Sequence, residues 1–426
     1  MKNKGNELKD FLILWSTQSV SHLGSGITAF ALTLWLYEKT GSSLSTAALT
    51  ICSYAPYVLM SILAGALTDR FDKKKTMLVC DVFAALCTIT VFGLYNTNRL
   101  MVWHLYALNA ISGLMNTVQQ PASEVAMTLI LPEKYYQKTS GLRSLSKSLT
   151  SILNPLIATA LYSFIGLNGV IAVDIGSFIV AFVALQFFIK IPKNRSEKKA
   201  SVFVLAKEGI GFLKENPMIM TLILFMAGVN LVASAFDATL PGYVLPNPNG
   251  GQTVLGIVTS CSGVAMIIGS LIVSVMPKPK DRVKVVYLTM LFSLGTENFL
   301  LAFSREPFVW CIGQIIGWIL VPVMSANLDV ILRSTIPVEL QGRVYACRNT
   351  LQFFTIPIGL FLGGFMVDNV WEPFMLAFGD SAILKTLFGI GKGSGAALMM
   401  FILGVSGSMI CIITGKKLKK YQFNDK

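Results

Sequence analysis

The segment GALTDRFDKKK, residues 65–75, begins at the end of one long apolar run, 45–67, and leads into another, 76–95. Each run has about 20 residues, the length that a helix rising about 1.5 Å per residue needs to cross the hydrocarbon core of a bilayer. The basic residues of the segment favour a cytoplasmic position, since short cytoplasmic loops are enriched in Lys and Arg. The segment therefore predicts two membrane-spanning helices joined by an inner loop.

The rest of the chain repeats this alternation of apolar runs and basic loops. Of its 426 residues, 54% are hydrophobic and 13% are charged, which argues against a water-soluble protein. Lipid cannot satisfy unpaired backbone amides, and the runs are too long for barrel strands, so each run predicts a helix. We predict an all-α integral membrane protein with 12 transmembrane helices at approximately 11–37, 45–67, 76–95, 101–131, 142–165, 168–189, 218–240, 253–276, 283–303, 307–332, 344–368 and 395–415.

The distribution of positive charge predicts the orientation. With both termini in the cytoplasm, all but five of the 35 Lys and Arg residues lie in inner segments. The exceptions are Lys39, Arg99, Arg305, Lys385 and Lys392. Most of the net charge of +13 is then a topology signal and an attraction to anionic membrane lipid, and we expect no nucleic-acid partner.

The longest inner segment divides the chain into two halves. Parts of the halves can be aligned: LPE at 131–133 and IPVE at 336–339 are each followed by a glycine and basic residues. Such a weak repeat is typical of two similar six-helix bundles that face each other across a cavity. The predicted domains are an N-terminal bundle (1–190), a cytoplasmic linker (191–217) and a C-terminal bundle (218–426).

Motifs that would indicate an ATP-driven pump or a metal-dependent enzyme are missing from the sequence. It contains no GxxxxGK[ST] phosphate-binding loop, and its 7 cysteines form no CxxC pair. Its 2 histidines are too few for a His-rich metal centre. We therefore predict a secondary transporter rather than an enzyme, without catalytic residues, metal or cofactor.

The segment at 65–75 resembles the G-x-L-a-D-r-x-G-r-k signature of the major facilitator superfamily. It departs from that signature at Asp72, where the family has a glycine. The resemblance implies the major facilitator fold of two six-helix bundles. In that family, the aspartate accepts from amides at the start of the eleventh helix and holds the cytoplasmic side shut. The implied gating motif is Gly65, Asp69, Arg70, Lys73, Gly342 and Arg343.

Within the superfamily, the chain resembles the bacterial drug-efflux branch that includes macrolide-efflux permeases. The similar stretches are WSTQSVS (15–21), YEKTGS (37–42), AVDIGSF (172–178) and PVELQGRV (337–344). This resemblance implies export of a hydrophobic compound across the bacterial cell membrane in exchange for protons. Two positions depart from proton-coupled exporters: Asn109 replaces an arginine of the fourth helix, and Asn154-Pro155 replaces the Gly-Pro of the fifth.

The resemblance also implies a cavity lined by the first, fourth, seventh and tenth helices, which carry polar residues at helical spacing. A polar stripe that faced lipid would be costly, so it faces protein or water. Hydrogen bonding between helices is the alternative explanation of these stripes. The candidates for binding substrate or protons are Gln18, His22, Asn109, Asn116, Gln119, Glu124, Asn230, Asp237 and Asp329.

A proton-coupled carrier needs at least one carboxyl group that binds and releases a proton. Asp237 is the first candidate, because it lies on a cavity helix away from basic residues. Asp329 has Arg333 one turn away, which favours an ion pair. Packing, helix-end or interface roles are assigned to the remaining membrane carboxyl groups, Asp81, Asp174 and Glu297.

Few fixed charges and many Phe, Met and Trp residues favour a large apolar or weakly basic substrate. We expect a monomer that binds a small-molecule substrate and protons. Two alternatives stay open: an exporter of an endogenous siderophore, peptide or lipid-like metabolite, and a membrane sensor or scaffold that does not transport.

Overall fold

The computed structural model describes residues 4–70, 72–130, 136–191, 202–379 and 381–420. Within these ranges, it leaves aside the side chains of residues 4–8, 61–70, 124, 128, 136–145, 147–148, 202–206, 338–339, 342 and 346. The described residues are almost entirely helical, and none of them lies in a β-strand. The prediction of an all-α protein is confirmed.

Five helices precede the linker. They are α1 (Lys4–Thr40), α2 (Ser43–Arg70), α3 (Lys73–Asn96), α4 (Val102–Ile130) and α5 (Tyr136–Val183). The long α5 is two helices joined at a break at Gly166, where φ is 66° and ψ is −177°. A positive φ favours glycine, which has no Cβ to clash with the backbone. The break falls between the fifth and sixth apolar runs of the sequence, and a π-helical turn, Ala184–Phe188, follows α5.

The remaining helices include several short ones of 7 to 16 residues. They are α6 (Val202–Glu215), α7 (Pro217–Val244), α8 (Gln252–Val275), α9 (Arg282–Phe303), α10 (Pro307–Ile319), α11 (Val321–Thr335), α12 (Val338–Phe353), α13 (Thr355–Met366), α14 (Glu372–Phe378), α15 (Ala382–Phe388) and α16 (Ser394–Leu418). The tenth apolar run comprises α10 and α11, and the eleventh comprises α12 and α13. A second π-helical turn, Val367–Trp371, joins α13 to α14.

By length and composition, 10 helical stretches in the described ranges are apolar enough to cross a membrane. One of them, Leu149–Phe188, includes both helices that meet at Gly166. The 29-residue α4 is not among the ten, since its Asn and Gln side chains lower its hydropathy. These stretches are consistent with the 12 predicted helices and define a multi-pass membrane protein.

Contacts divide the chain into two compact units. The first unit comprises residues 1–36 and 49–202, and the second comprises residues 37–48 and 203–426. The second unit therefore includes the connection between α1 and α2. The domain limits drawn from the sequence, at residues 190 and 218, stay a prediction.

Asp368 holds this connection within the second unit. Its carboxylate accepts hydrogen bonds from the Ser42 hydroxyl (2.6 Å) and from the backbone amides of Ser43 (3.1 Å) and Leu44 (2.8 Å). Free amides at a helix start favour a carboxylate partner, so Asp368 stabilises the beginning of α2. The connection is thereby anchored to the π-helical turn that follows α13.

Close packing inside the first unit depends on Gly113 of α4. A Cβ added there would lie 2.1 Å from the backbone oxygen of Ser53 in α2. We expect Gly113→Val to lower the thermal unfolding midpoint in detergent, because overpacking costs about 1–3 kcal/mol and a backbone oxygen cannot rotate away. Gly93→Val on α3 is the matched control, since nothing lies within 4 Å of an added Cβ there. Equal shifts of the midpoint in both variants would contradict this contact.

Candidate functional site

A polar layer crosses the first unit between two apolar clusters. One cluster includes the buried residues Phe11, Leu14, Met77, Ala126 and Leu185. The other includes the buried residues Ile27, Leu32, Val91, Leu105 and Ile171. In α1, α3, α4 and the second part of α5, the polar residues fall between the members of the two clusters along the chain. The layer contains Gln18, His22, Ser25, Asp81, Thr88, Asn109, Asn116, Gln119 and Asp174.

Asp81 of α3 connects three helices of this layer. Its side chain is buried and accepts hydrogen bonds from the amide groups of Gln18 in α1, at 3.4 Å, and Gln119 in α4. Both donors are neutral. A buried carboxylate is costly unless its charge is offset, so the environment of Asp81 points to a cation or a proton.

Asp174, in the second part of α5, makes a similar set of contacts. It is buried and accepts from the hydroxyl groups of Ser25 in α1 (3.0 Å) and Thr88 in α3 (3.4 Å). The approach of α1 requires Gly24, because a Cβ there would lie 2.3 Å from the Ser177 hydroxyl and 3.1 Å from Asp174. Asp174 thus ties α1 and α3 to the second part of α5.

Along α1, His22 lies between Gln18, which contacts Asp81, and Ser25, which contacts Asp174. It follows Gln18 by four residues and precedes Ser25 by three, so the three side chains share one helical face. Gln18 to Ser25 is about two helical turns, or roughly 10 Å of rise, and the same spacing separates Asp81 from Thr88 on α3. Along α1 and α3, Asp81 and its partner Gln18 therefore lie about two helical turns from Ser25 and Thr88, the partners of Asp174.

Two cavities border this layer. The smaller one, of about 160 Å³, is lined by both carboxylates, and the residues described in its lining include no Lys or Arg. The larger one, of about 390 Å³, is lined by Trp15, Met127 and several hydroxyl and amide side chains. Four residues line both cavities: Gln18, His22, Asn116 and Gln119. The larger cavity has the size of a small-molecule site, whereas the smaller one suits an ion or water.

Residues 14–246 match the family model described as Major Facilitator Superfamily. The chain belongs to the Major Facilitator Superfamily. Family and fold are those of membrane transporters, which act on small-molecule substrates.

Two relatives within the superfamily carry efflux names, as the sequence resemblance predicted. Macrolide efflux protein A of Streptococcus pyogenes is 25% identical over 377 residues, which are 87% of this chain and 92% of that protein. The multidrug efflux pump Tap of Mycolicibacterium fortuitum is 24% identical over 364 residues, which are 81% of this chain and 86% of that protein. The predicted similarity to drug-efflux members of the superfamily is confirmed.

Solved structures of superfamily transporters share the fold at low sequence identity. The nucleoside transporter NupG has a TM-score of 0.72 at 11% identity, and the comparison covers 97% of this chain and 100% of that chain. A bacterial homolog of the human lysosomal transporter Spinster, inward-facing and unoccupied, has a TM-score of 0.70 at 13% identity and full coverage of both chains. The predicted major facilitator fold is confirmed.

Most of the superfamily gating motif lies outside the described residues, namely the side chains of Gly65, Asp69, Arg70 and Gly342. Of the other members, Lys73 is buried at the start of α3, and Arg343 forms an ion pair with Glu208 of α6. Asp72, at the family's glycine position, caps α3 by accepting from the Lys75 amide at 3.1 Å. The gating role itself stays a prediction.

The candidates predicted in the first unit fall in the polar layer, apart from Glu124, whose side chain lies outside the described residues. Gln18 and Gln119 are buried, whereas His22 and Asn116 are exposed. Asn109 lines the smaller cavity and donates to the Leu105 carbonyl at 3.0 Å. The structure therefore brings the polar faces of α1 and α4 together around α3.

The candidates of the second unit are spread over two helices. Asn230 of α7 donates to the Gln352 carbonyl at 3.0 Å, and Asp237 is exposed two turns further along. Asp329 of α11 is exposed and lies 3.9 Å from Arg348 of α12, rather than pairing with Arg333 as expected. An exposed pair of this kind contributes little to stability, about 0–1 kcal/mol.

Sequence reasoning passed over the two carboxylates of the first unit. It assigned packing or helix-end roles to Asp81 and Asp174, whereas both line the smaller cavity. The missed signal is the spacing of seven residues on α1 and again on α3, which aligns Gln18 with Ser25 and Asp81 with Thr88. Glu297, assigned to the interface, is also buried, with Gly317 of α10 packed against its carboxylate.

Proposed function

We propose that this protein is a secondary active transporter that exports amphipathic drugs or antibiotics by proton antiport and alternating access. It lies in the cytoplasmic membrane of a bacterium, surrounded by lipid, as a monomer with both termini inside. Support comes from the superfamily membership and from two relatives named for macrolide and multidrug efflux. The gating role of Asp69 and its partners rests on their sequence motif.

The larger cavity is the observation that carries this proposal. Its lining combines an indole ring and a thioether with amide and hydroxyl groups, and among the described residues of the lining His22 is the one titratable side chain. Such a surface suits a compound with both apolar and hydrogen-bonding parts. A phosphorylated substrate would call for Arg or Lys, and the described residues of this lining include neither.

Trp15 adds a specific requirement for the ligand. It lines the larger cavity, and its buried indole N–H has no acceptor among the described residues. An unsatisfied buried donor costs about 1–3 kcal/mol. A substrate with an ester or hydroxyl oxygen near Trp15 would accept this hydrogen bond and recover that cost.

In the second unit, we assign Asp237 to substrate or proton binding. Its side chain is exposed on α7, although its neighbours Phe236 and Ala238 are buried. An exposed carboxylate on an apolar membrane helix needs water or a cationic ligand as partner. Asn230 has a weaker claim, since its amide already donates to Gln352.

Expression in a bacterium that lacks its own efflux pumps tests the proposed function. We expect raised minimal inhibitory concentrations for macrolides and other lipophilic amines, because the pump lowers their cytoplasmic concentration. A protonophore should abolish drug efflux from preloaded cells. The empty vector is the control, and membrane content is measured by immunoblotting.

The outcomes separate the competing functions. Efflux that persists with the protonophore would contradict proton antiport but not export. Unchanged susceptibility across a chemically diverse panel would contradict drug export. It would favour an endogenous siderophore, peptide or lipid-like substrate, or a protein that does not transport.

A further inference from the structure

We propose that the coupling proton binds to Asp81, and that Gln18 and Gln119 transmit its arrival to substrate in the larger cavity. This inference rests on the proposed antiport and specifies its site. Asp81 borders only the smaller cavity, whereas its two amide partners line both. The two glutamines thus bind the carboxylate directly and also line the substrate cavity.

The chemistry of a glutamine amide makes it a two-way switch. A carboxylate is only an acceptor, so charged Asp81 binds the NH₂ groups of Gln18 and Gln119, as observed. The carbonyl oxygens of the two glutamines can then accept hydrogen bonds from other groups. After Asp81 binds a proton, its O–H is a donor that needs an acceptor, and a glutamine turns its carbonyl oxygen towards it. The NH₂ group of that glutamine is released towards the larger cavity.

This exchange selects a class of substrate. With Asp81 charged, the larger cavity offers carbonyl oxygens, which bind a protonated amine or a hydroxyl group. With Asp81 protonated, it offers an N–H group, which does not accept from an ammonium group. The carboxylate takes up one proton as the ammonium compound leaves, and it gives that proton back when the next compound binds. Proton and substrate therefore compete without sharing a binding atom.

The surroundings of Asp81 favour this role over an ion pair. Among the described residues, the titratable groups that line the two cavities, besides Asp81, are His22 on α1, Cys87 on α3 and Asp174 on α5. On its own helix, Asp81 also follows Cys80 directly. Lys74, at the start of α3, donates to the Gln186 and Ile189 carbonyls instead. The described residues of the two cavity linings include no fixed positive charge for Asp81.

Binding of erythromycin, a macrolide with a tertiary amine, tests the proposal on the purified full-length protein in detergent. Tryptophan fluorescence reports binding, since Trp15 lines the larger cavity. In the wild type, we expect affinity to fall as the pH is lowered, by at most about tenfold per pH unit for one exchanged proton. Asp81→Asn should bind weakly and independently of pH, because its amide can donate to the glutamines as a protonated acid does.

Three further variants identify the group responsible. Asp174→Asn removes an equally buried carboxylate from the same cavity, and His22→Gln removes the imidazole that lines both cavities; both should keep the pH dependence. The double variant Gln18→Met and Gln119→Met leaves Asp81 in place but interrupts both of its connections to substrate, so its binding should lose pH dependence. This variant also tests the proposal if Asp81→Asn fails to give a single peak in size-exclusion chromatography.

A pH dependence that survives in Asp81→Asn and in the double glutamine variant would overturn the assignment while the exporter function stands. If the pH dependence of erythromycin binding is lost in His22→Gln but kept in Asp81→Asn, the proton site is the histidine. Absence of erythromycin binding to the wild type, together with unchanged susceptibility of cells, would overturn the exporter function and this inference with it.

Discussion

Replacement of Asp237 by Asn is expected to remove export while leaving the protein in the membrane. The side chain is exposed on an otherwise apolar α7, so the loss of one negative charge leaves helix packing intact. Asn keeps the size of Asp but can neither hold a proton nor offset a substrate ammonium group. Drug efflux from preloaded cells should fall at least about tenfold, as expected when a charge-assisted contact of about 1.5–3 kcal/mol is lost.

Asp237→Glu is the matched control, because it retains the carboxyl group and should keep part of the efflux. A comparison of substrates separates the two possible roles. Loss of efflux for amines alone would indicate substrate binding, whereas loss for neutral compounds as well would indicate proton binding. Undiminished efflux at equal membrane content would eliminate Asp237 from both roles.

Filling the larger cavity should also stop export. Ser123 of α4 lines this cavity, is only partly buried and does not line the smaller cavity. In Ser123→Trp, an indole ring would take up much of the roughly 390 Å³ available to substrate. We expect erythromycin affinity to fall about tenfold or more, since excluding even part of a ligand costs over 1.4 kcal/mol.

Ser123→Ala provides the comparison, because it enlarges the cavity slightly and should bind erythromycin as the wild type does. Thermal unfolding in detergent shows whether the bulky variant is still folded. If a folded Ser123→Trp protein binds and exports erythromycin normally, the substrate site lies elsewhere, and the second unit becomes the place to search.

The sequence was sufficient for features that depend on local composition. The length of each apolar run sets a membrane-spanning helix, and the break at Gly166 falls in the two-residue gap between two runs. The short basic motif at 65–75 indicated the family, which the match over residues 14–246 confirms. These features need no knowledge of which helices are neighbours.

The site could be predicted only in part, because its contacts join distant parts of the chain. The polar stripes of α1 and α4 were visible as helical spacing, and Gln18, His22, Asn116 and Gln119 do line the cavities. Asp81 was not recognised, since its partner Gln18 lies 63 residues away. The family resemblance assigns the cavity to the first, fourth, seventh and tenth helices, so the polar face of the third helix was not considered.

Asp368 shows the same limit. It lies 324 to 326 residues from the groups it binds at the start of α2, and no pattern in the sequence links it to them. Only the folded chain reveals that this aspartate anchors the connection between the first two helices.

The two apolar clusters that enclose the polar layer determine where an electric field acts on the first unit. Polar and hydrated regions sustain little voltage, so most of the transmembrane potential falls across the apolar side chains around Phe11 and Ile27. A full 100 mV is worth about 2.3 kcal/mol per elementary charge. An ion that reaches the layer must pass one cluster, and passage through both would be a leak that discharges the cell. In the proposed antiporter, the clusters would act as the insulation that tight coupling requires.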